Sequence, residues 1–368
     1  MVRGIGWAVC GAGLIGLAGC GTAPEASQAN RGDEPRTTPT RGATTEPVRA
    51  VDSLEAARLR EDALALLEAA AVGRDPGLRA NAIEGLSQVP RRARPMVRRG
   101  LQDLNEGVRT VSALVAGRAR MGDLESALRA RANDPSIYVR LAVLFALDRC
   151  GVAVDPTPVA SALLAHEDPK VRAHAAFILG ELGNPTALPM LRQAANESVP
   201  KGGAAEVAVL RQQVAEAMVK LGDPEPLQGL RAALYPSRPE QLELTALAVQ
   251  ILGTVRDEAS IGQLIYLSAT TDGDNFLPPE IRLAVAQALG RMGRTEGAFL
   301  ADEYAGHPDA GVREQAAHVY GWTLPLGDVG RLSAMLEDPA PRVRVAAASA
   351  VLRVVLRPDA ETRAAVVE

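Results

Sequence analysis

Aromatic side chains are nearly missing from this chain: 4 Phe, 5 Tyr and 2 Trp in 368 residues, although hydrophobic residues make up 47% of it. A core built without large rings must rely on Ala, Leu and Val, which suits helices that approach closely. Cysteine is just as scarce. Cys10 and Cys20 sit near the N-terminus and Cys150 stands alone in the body, so the body has no disulfide framework. Only four histidines occur, His166, His174, His307 and His318. Positive charge is not in excess, with 40 Lys and Arg against 44 Asp and Glu, which argues against nucleic acid as a partner. Long apolar runs are also lacking. The longest, Ile5 to Ala18, is too short to span a bilayer comfortably.

What the chain has instead is a period. An Asp-Pro-x-x-Val-Arg pattern, or a worn copy, places arginines at Arg79, Arg109, Arg140, Arg172, Arg211, Arg282, Arg313 and Arg344, with Glu243 read as occupying one more such position. Subtracting neighbouring numbers gives spacings of 30, 31, 32, 39, 32, 39, 31 and 31. Such regularity marks a solenoid, in which each unit buries its apolar face against the next. The clearest unit runs from His166 to Leu191. Asp168-Pro169 signals a helix start, Val171, Ala175, Ile178 and Leu182 share one face, and Gly183-Asn184-Pro185 ends the helix before a second apolar run. Further copies begin at Asp75, Asn133, Pro278, His307 and Glu337. The two spacings of 39 locate inserts near residues 196–206 and 268–279.

These segments resemble HEAT repeats, in particular the short bacterial type found in relatives of phycobilin lyases, over roughly Ser53 to Glu368. The resemblance implies an all-α fold, an α-solenoid of about nine helix pairs forming a curved superhelix. It also implies that Asp134, Asp168 and Asp338 join the repeat arginines in a structural ladder between units. A tetratricopeptide array is excluded by its 34-residue period and its missing aromatic positions.

The N-terminus carries a second signal. Arg3 precedes a short apolar stretch that closes on Leu17-Ala18-Gly19-Cys20, similar to a bacterial lipobox. The resemblance implies a signal peptide at 1–19, an acylated Cys20 holding the mature protein on the membrane, a tether at 20–50 and the solenoid at 51–368. Several acyl chains, at about 0.8 kcal/mol per buried CH₂, make such attachment effectively permanent. Gly21 stands where Asp retains enterobacterial lipoproteins at the inner membrane, so the expected location is the cell envelope facing the periplasm, with the outer membrane favoured. Gly21 to Ala50 is rich in Thr, Pro, Gly and Ala without apolar periodicity; a flexible coil of that length reaches on the order of 30 Å.

Catalytic chemistry finds few candidates. Cys150 reads as a small buried residue. Deoxyhypusine hydroxylases hold two irons with several His-Glu pairs inside repeat helices, whereas this chain has a single pair, His166-Glu167, just ahead of its helix. The acidic run Thr271 to Asn275 lacks the spaced ligands of a calcium loop and reads as a solvated turn. The basic cluster of Arg91, Arg92, Arg94, Arg98 and Arg99 reads as a solvated inter-helix turn. No catalytic residue, metal or cofactor is assigned.

Partner recognition remains. With second helices lining the concave side, positions one and five after each repeat arginine should face the groove. Leu141, Phe145, Ala173 and Phe177, joined by Leu114, are expected to form an apolar strip there; Gln212, Glu216, Gln287, Glu314 and His318 continue it as a polar strip. The functional expectation is a membrane-anchored, non-catalytic scaffold that binds a protein partner in this groove. The alternative is an enzyme or cofactor-binding protein on the same fold.

Overall fold

A computed structural model describes residues 53–357, apart from 198, 200–201, 237–240 and 270–276. Cys20, the tether, the acidic run at 271–275 and most of the second insert lie outside the described residues.

Eighteen α-helices alternate between two layers, with no strand among the described residues. The first helix of each pair is α1 (Ser53–Ala70), α3 (Pro90–Gly100), α5 (Glu125–Arg129), α7 (Thr157–Ala165), α9 (Leu188–Asn196), α11 (Leu227–Ala232), α13 (Ile261–Ala269), α15 (Phe299–Tyr304) and α17 (Ser333–Leu336). The second is α2 (Pro76–Leu86), α4 (Glu106–Arg118), α6 (Ile137–Arg149), α8 (Pro169–Leu182), α10 (Ala204–Lys220), α12 (Leu242–Val255), α14 (Pro279–Arg291), α16 (Ala310–Thr323) and α18 (Pro341–Val355). Nine pairs match the repeat arithmetic. No described helix is long and apolar enough to cross a membrane.

Local sequence explains the helix starts. Asp75, Asn105, Asp168 and Asp309 cap α2, α4, α8 and α16 by accepting a backbone amide, and proline occupies the first turn of α2, α8, α14 and α18. Gly183 ends α8 in the left-handed region at φ 74°.

Each second helix packs on the next, and the series does not end. The last, α18, packs against both α2 and α1, so the nine second helices close into a ring. Gln88 Nε2 donates to the Ser349 carbonyl at 3.0 Å across this seam. One apolar cluster runs from Leu59 on α1 to Leu221 after α10 and includes α16 and α18. A second cluster holds most of α12 and its neighbours, so the larger core is continuous through the seam and breaks instead beyond α10.

Close approach between second helices depends on glycine. Gly117, Gly180, Gly253, Gly290 and Gly321 recur in this role; a Cβ at Gly117 would lie 2.6 Å from the Phe145 ring, and one at Gly253 would lie 2.7 Å from Ala288 Cβ. Four of these stand eight residues after Arg109, Arg172, Arg282 and Arg313. Counting back eight from Gly253 reaches Thr245, not Glu243. Thr245 is also the fourth residue of its helix, as the arginines of α8, α14 and α16 are. Glu243 is exposed, whereas Thr245 is buried and donates its hydroxyl to the Ala233 carbonyl at 2.9 Å. The register residue of this unit is therefore Thr245. A count of spacings could not see that the preceding insert had shifted the frame.

The arginine ladder is present. Arg79 pairs with Asp103 at 2.7 Å, Arg109 with Asp134 at 2.8 Å and Arg313 with Asp338 at 2.8 Å, each aspartate lying in the loop before the next second helix. Glutamates take the place further on, in Arg172 with Glu197 and Arg282 with Glu303. Arg79, Arg109, Arg172 and Arg313 also reach their own unit's loop, as Arg109 does to the Asp103 and Leu104 carbonyls. Burial pushes the Asp134 carboxyl up, but the Arg109 hydrogen bonds, the Ser136 amide and the nearby cations outweigh it and leave it below its usual value. Asp168 caps α8 instead.

Two local readings change. The basic cluster is the body of helix α3, not a turn, and part of it is neutralised: Arg92 pairs with Glu61 and Glu68, while Arg94 and Arg98 face Asp123. The first insert lengthens α10 to 17 residues and lies against the start of α8, where Lys170 pairs with Glu206 at 3.3 Å.

Candidate functional site

The expected apolar strip is not a surface. Leu114, Leu141, Phe145 and Ala173 are each 1% exposed and Phe177 is 3% exposed. Phe145 fills the space over Gly117, and Phe177 is roofed by Arg118 and Lys220, whose cationic groups stand 5.7 and 5.5 Å from its ring centre. The wheel direction toward the inside holds for Phe177. The exposure fails because neighbouring second helices pack closely on one another, so that these side chains fill the spaces between helices.

One turn further along the same helical stripe lies what the strip omitted. Residues nine beyond the register positions include Gln88, Arg118, Glu181, Lys220, Thr254, Arg291, Trp322 and Arg353. Around the ring these converge on a common centre. Arg118 of α4 donates to Glu181 of α8 at 3.0 Å, over the intervening helix, and Lys220 pairs with Glu181 at 2.9 Å and Glu216 at 2.8 Å. Burial pushes Glu181 up and Lys220 down, and the opposite charges outweigh it in both cases, so each stays firmly ionised. Gln213, also buried, donates to Glu216 at 3.2 Å.

On the other flank, Arg291 donates to Thr254 Oγ1 at 2.8 Å and lies 5.6 Å from the Trp322 ring centre, while Arg353 lies 4.5 Å from it. Burial, and then the neighbouring Arg291 charge, pull Arg353 down to about 10 despite Glu84. Burial pulls His318 down to about 3, with Arg353 and Arg291 adding to the effect. Glu314 pairs with Arg342 at 2.6 Å, yet burial still raises its carboxyl. A cavity of about 250 Å³ opens here, walled by α2, α4, α14, α16 and α18 and lined by Arg118, Gln287, His318, Ser349 and Arg353 among others. Arg118 thus faces helices on the far side of the ring, and this cavity is the lumen.

Other reactive groups are occupied structurally. His174 is buried, and its Nε2 donates to the Tyr138 carbonyl at 3.2 Å; desolvation pulls it to about 4. The Cys150 thiol is half-buried and pushed up, first by burial and then by Asp123 and Glu125. His166 accepts the Asp168 amide through Nδ1 in the loop before α8. Among the described residues no group of three or more His, Cys, Asp or Glu is placed to hold a metal.

The fold and this inner wall define an all-helical repeat protein closed on itself. The family model for HEAT repeats matches residues 124–209 and 157–243, so the α-solenoid carries HEAT repeats over that stretch. Among solved structures, an engineered protein is similar at 15% identity over 83% of this chain and 92% of that one, with a TM-score of 0.31. A Kap121p mutant shows 13% identity over 78% of this chain and 37% of that one (TM-score 0.31). Human deoxyhypusine hydroxylase in complex with glycerol shows 18% identity over 73% of this chain and 98% of that one (TM-score 0.27). No curated protein matches the sequence.

Proposed function

We propose that this protein is a non-catalytic binding scaffold of the bacterial cell envelope, held on the membrane through an acylated Cys20. The observation that carries the scaffold reading is ring closure. It joins both ends of the solenoid into one body, along whose inner wall most charges are held in ion pairs. HEAT solenoids serve widely as protein-binding frames, and a closed ring leaves its outer layer and rims for that task. Leu104, fully exposed before α4, and Phe299, 45% exposed on α15, are single apolar points on that outside. The Leu-Ala-Gly-Cys segment supports the anchor.

The test expresses the full chain in a bacterial host with an alkynyl fatty acid. Wild type should take up the label and fractionate with membranes, and Cys20→Ser should lose both. Photocrosslinkers at positions 104 and 299 should then capture one dominant envelope protein. An unlabelled wild type sinks the anchor; absence of any specific crosslink from the outer face sinks the scaffold.

A further inference from the structure

The lumen contains a charge that the protein does not answer. Arg118 with Glu181, Lys220 with Glu216, and Arg342 with Glu314 cancel in pairs. Arg291 and Arg353 remain; Glu84 acts on both, and Glu216, already paired with Lys220, also acts on Arg291. Two cations against one anion leave one positive charge in excess. Arg353 has no hydrogen bond or ion pair among the described residues; its contact is with the Trp322 face. Arg118 Nη2 is buried without a hydrogen-bond partner, and so is Arg291 Nε. Arg118, Arg291 and Arg353 are half-buried, and a guanidinium nitrogen cut off from water without a partner is unfavourable, since buried polar groups are ordinarily paired.

We propose that the lumen between α2, α4 and α18 binds a small anion, a carboxylate or phosphate group received by Arg353 and Arg118. Both guanidinium groups line the same cavity from different helices, and guanidinium forks match planar carboxylates and phosphate oxygens. Gln287 and His318 add neutral polar atoms to the wall, and the two carboxylates that also line it are answered, Glu314 by Arg342 and Glu84 by the charges of Arg291 and Arg353. The volume, about 250 Å³, is that of roughly eight waters, enough for a small dicarboxylate or a phosphate and far too little for a peptide helix or a folded partner. Position gives the site a consequence. It draws residues from α2 and α4 at one end of the solenoid and from α18 at the other, so an anion seated there ties the seam together. This site is independent of the anchor and of any protein partner.

Calorimetric titration of the detergent-purified full chain with inorganic phosphate, and separately with succinate, tests it. At least one of the two should give saturable single-site binding, and which one does so assigns the charged group. Arg353→Met should weaken that binding at least roughly tenfold. Without anion it should melt at or above the wild-type temperature, because an unpaired, half-buried cation has been removed; an arginine with a purely structural role would lower it. Arg118→Gln should weaken binding in the same direction and serves if Arg353→Met does not fold by circular dichroism. The proposal is overturned if neither anion binds saturably up to about 10 mM, a range that would still register weak sites, or if the folded variants bind as wild type does.

Discussion

Ring closure makes a prediction that an open arc cannot meet. A Cβ added to Gly85 of α2 would lie 3.3 Å from Ser349 Cβ of α18, slightly inside the roughly 3.5–4.5 Å that a disulfide spans. Gly85→Cys with Ser349→Cys, in a Cys150→Ala background, should therefore form an intramolecular disulfide with only a small shift of α18 and a change of χ1. In an open array, nine second helices spaced about 9 Å apart would hold these positions up to about 70 Å from each other. The bond joins position 85 to position 349 and so encloses most of the solenoid. Loop-closure entropy for roughly 260 enclosed residues is about 5–6 kcal/mol, of which about 2–4 kcal/mol should survive the strain of a short Cβ separation. For a body of this size, about 3 kcal/mol corresponds to roughly 5 °C in melting temperature. Mild oxidation followed by non-reducing electrophoresis reads the bond, and calorimetry with and without reductant reads its effect. Two thiols that stay free and fully titratable after oxidation, in a folded variant, would refute closure.

Two further outcomes follow from the packing. Arg109→Ala leaves the Asp134 carboxylate, whose side chain is fully buried, with only the Ser136 amide and the longer Arg131 contact at 3.7 Å, and should cost about 3 kcal/mol in urea unfolding; Arg129→Ala, in a pair 59% and 44% exposed, should cost under about 1 kcal/mol. Similar losses at the two sites would contradict the ladder. His174 gives a pH dependence: the unfolded chain takes up its proton near the ordinary value of 6.5, but the folded chain only near 4. Stability should then be level with respect to this group above about pH 7 and fall by roughly 3 kcal/mol between pH 6.5 and 4. His174→Gln should flatten that portion of the curve, and an unchanged slope would mean that the ring is already protonated in the fold.

The helix pairs were legible in the sequence because their causes are local. A cap such as Asp168, a first-turn proline and the left-handed glycine at Gly183 act within a few residues, so each unit announces its own start and stop. Much of the arginine ladder was legible for a related reason, since a paired arginine's partner stands in the next unit, as Asp134 does for Arg109 and Asp338 for Arg313. Thr245 was not, because an insert moves the count and only the glycine of the helix contact restores it. The lumen charges had a usable signal: they stand on the stripe that carried Phe145 and Phe177, one turn beyond where that stripe was followed.

Closure itself had no signal in the period. A regular repeat states that neighbours stack, but the small rotation between neighbours decides whether nine of them make an arc or a circle, and that rotation is summed over the whole chain. The sequence alone determined the helices, their pairing and their number. The tertiary structure alone decided that Ser349 meets Gly85. That meeting closes the expected open groove into a ring and brings Arg118 and Arg353, drawn from opposite ends of the solenoid, to one small cavity.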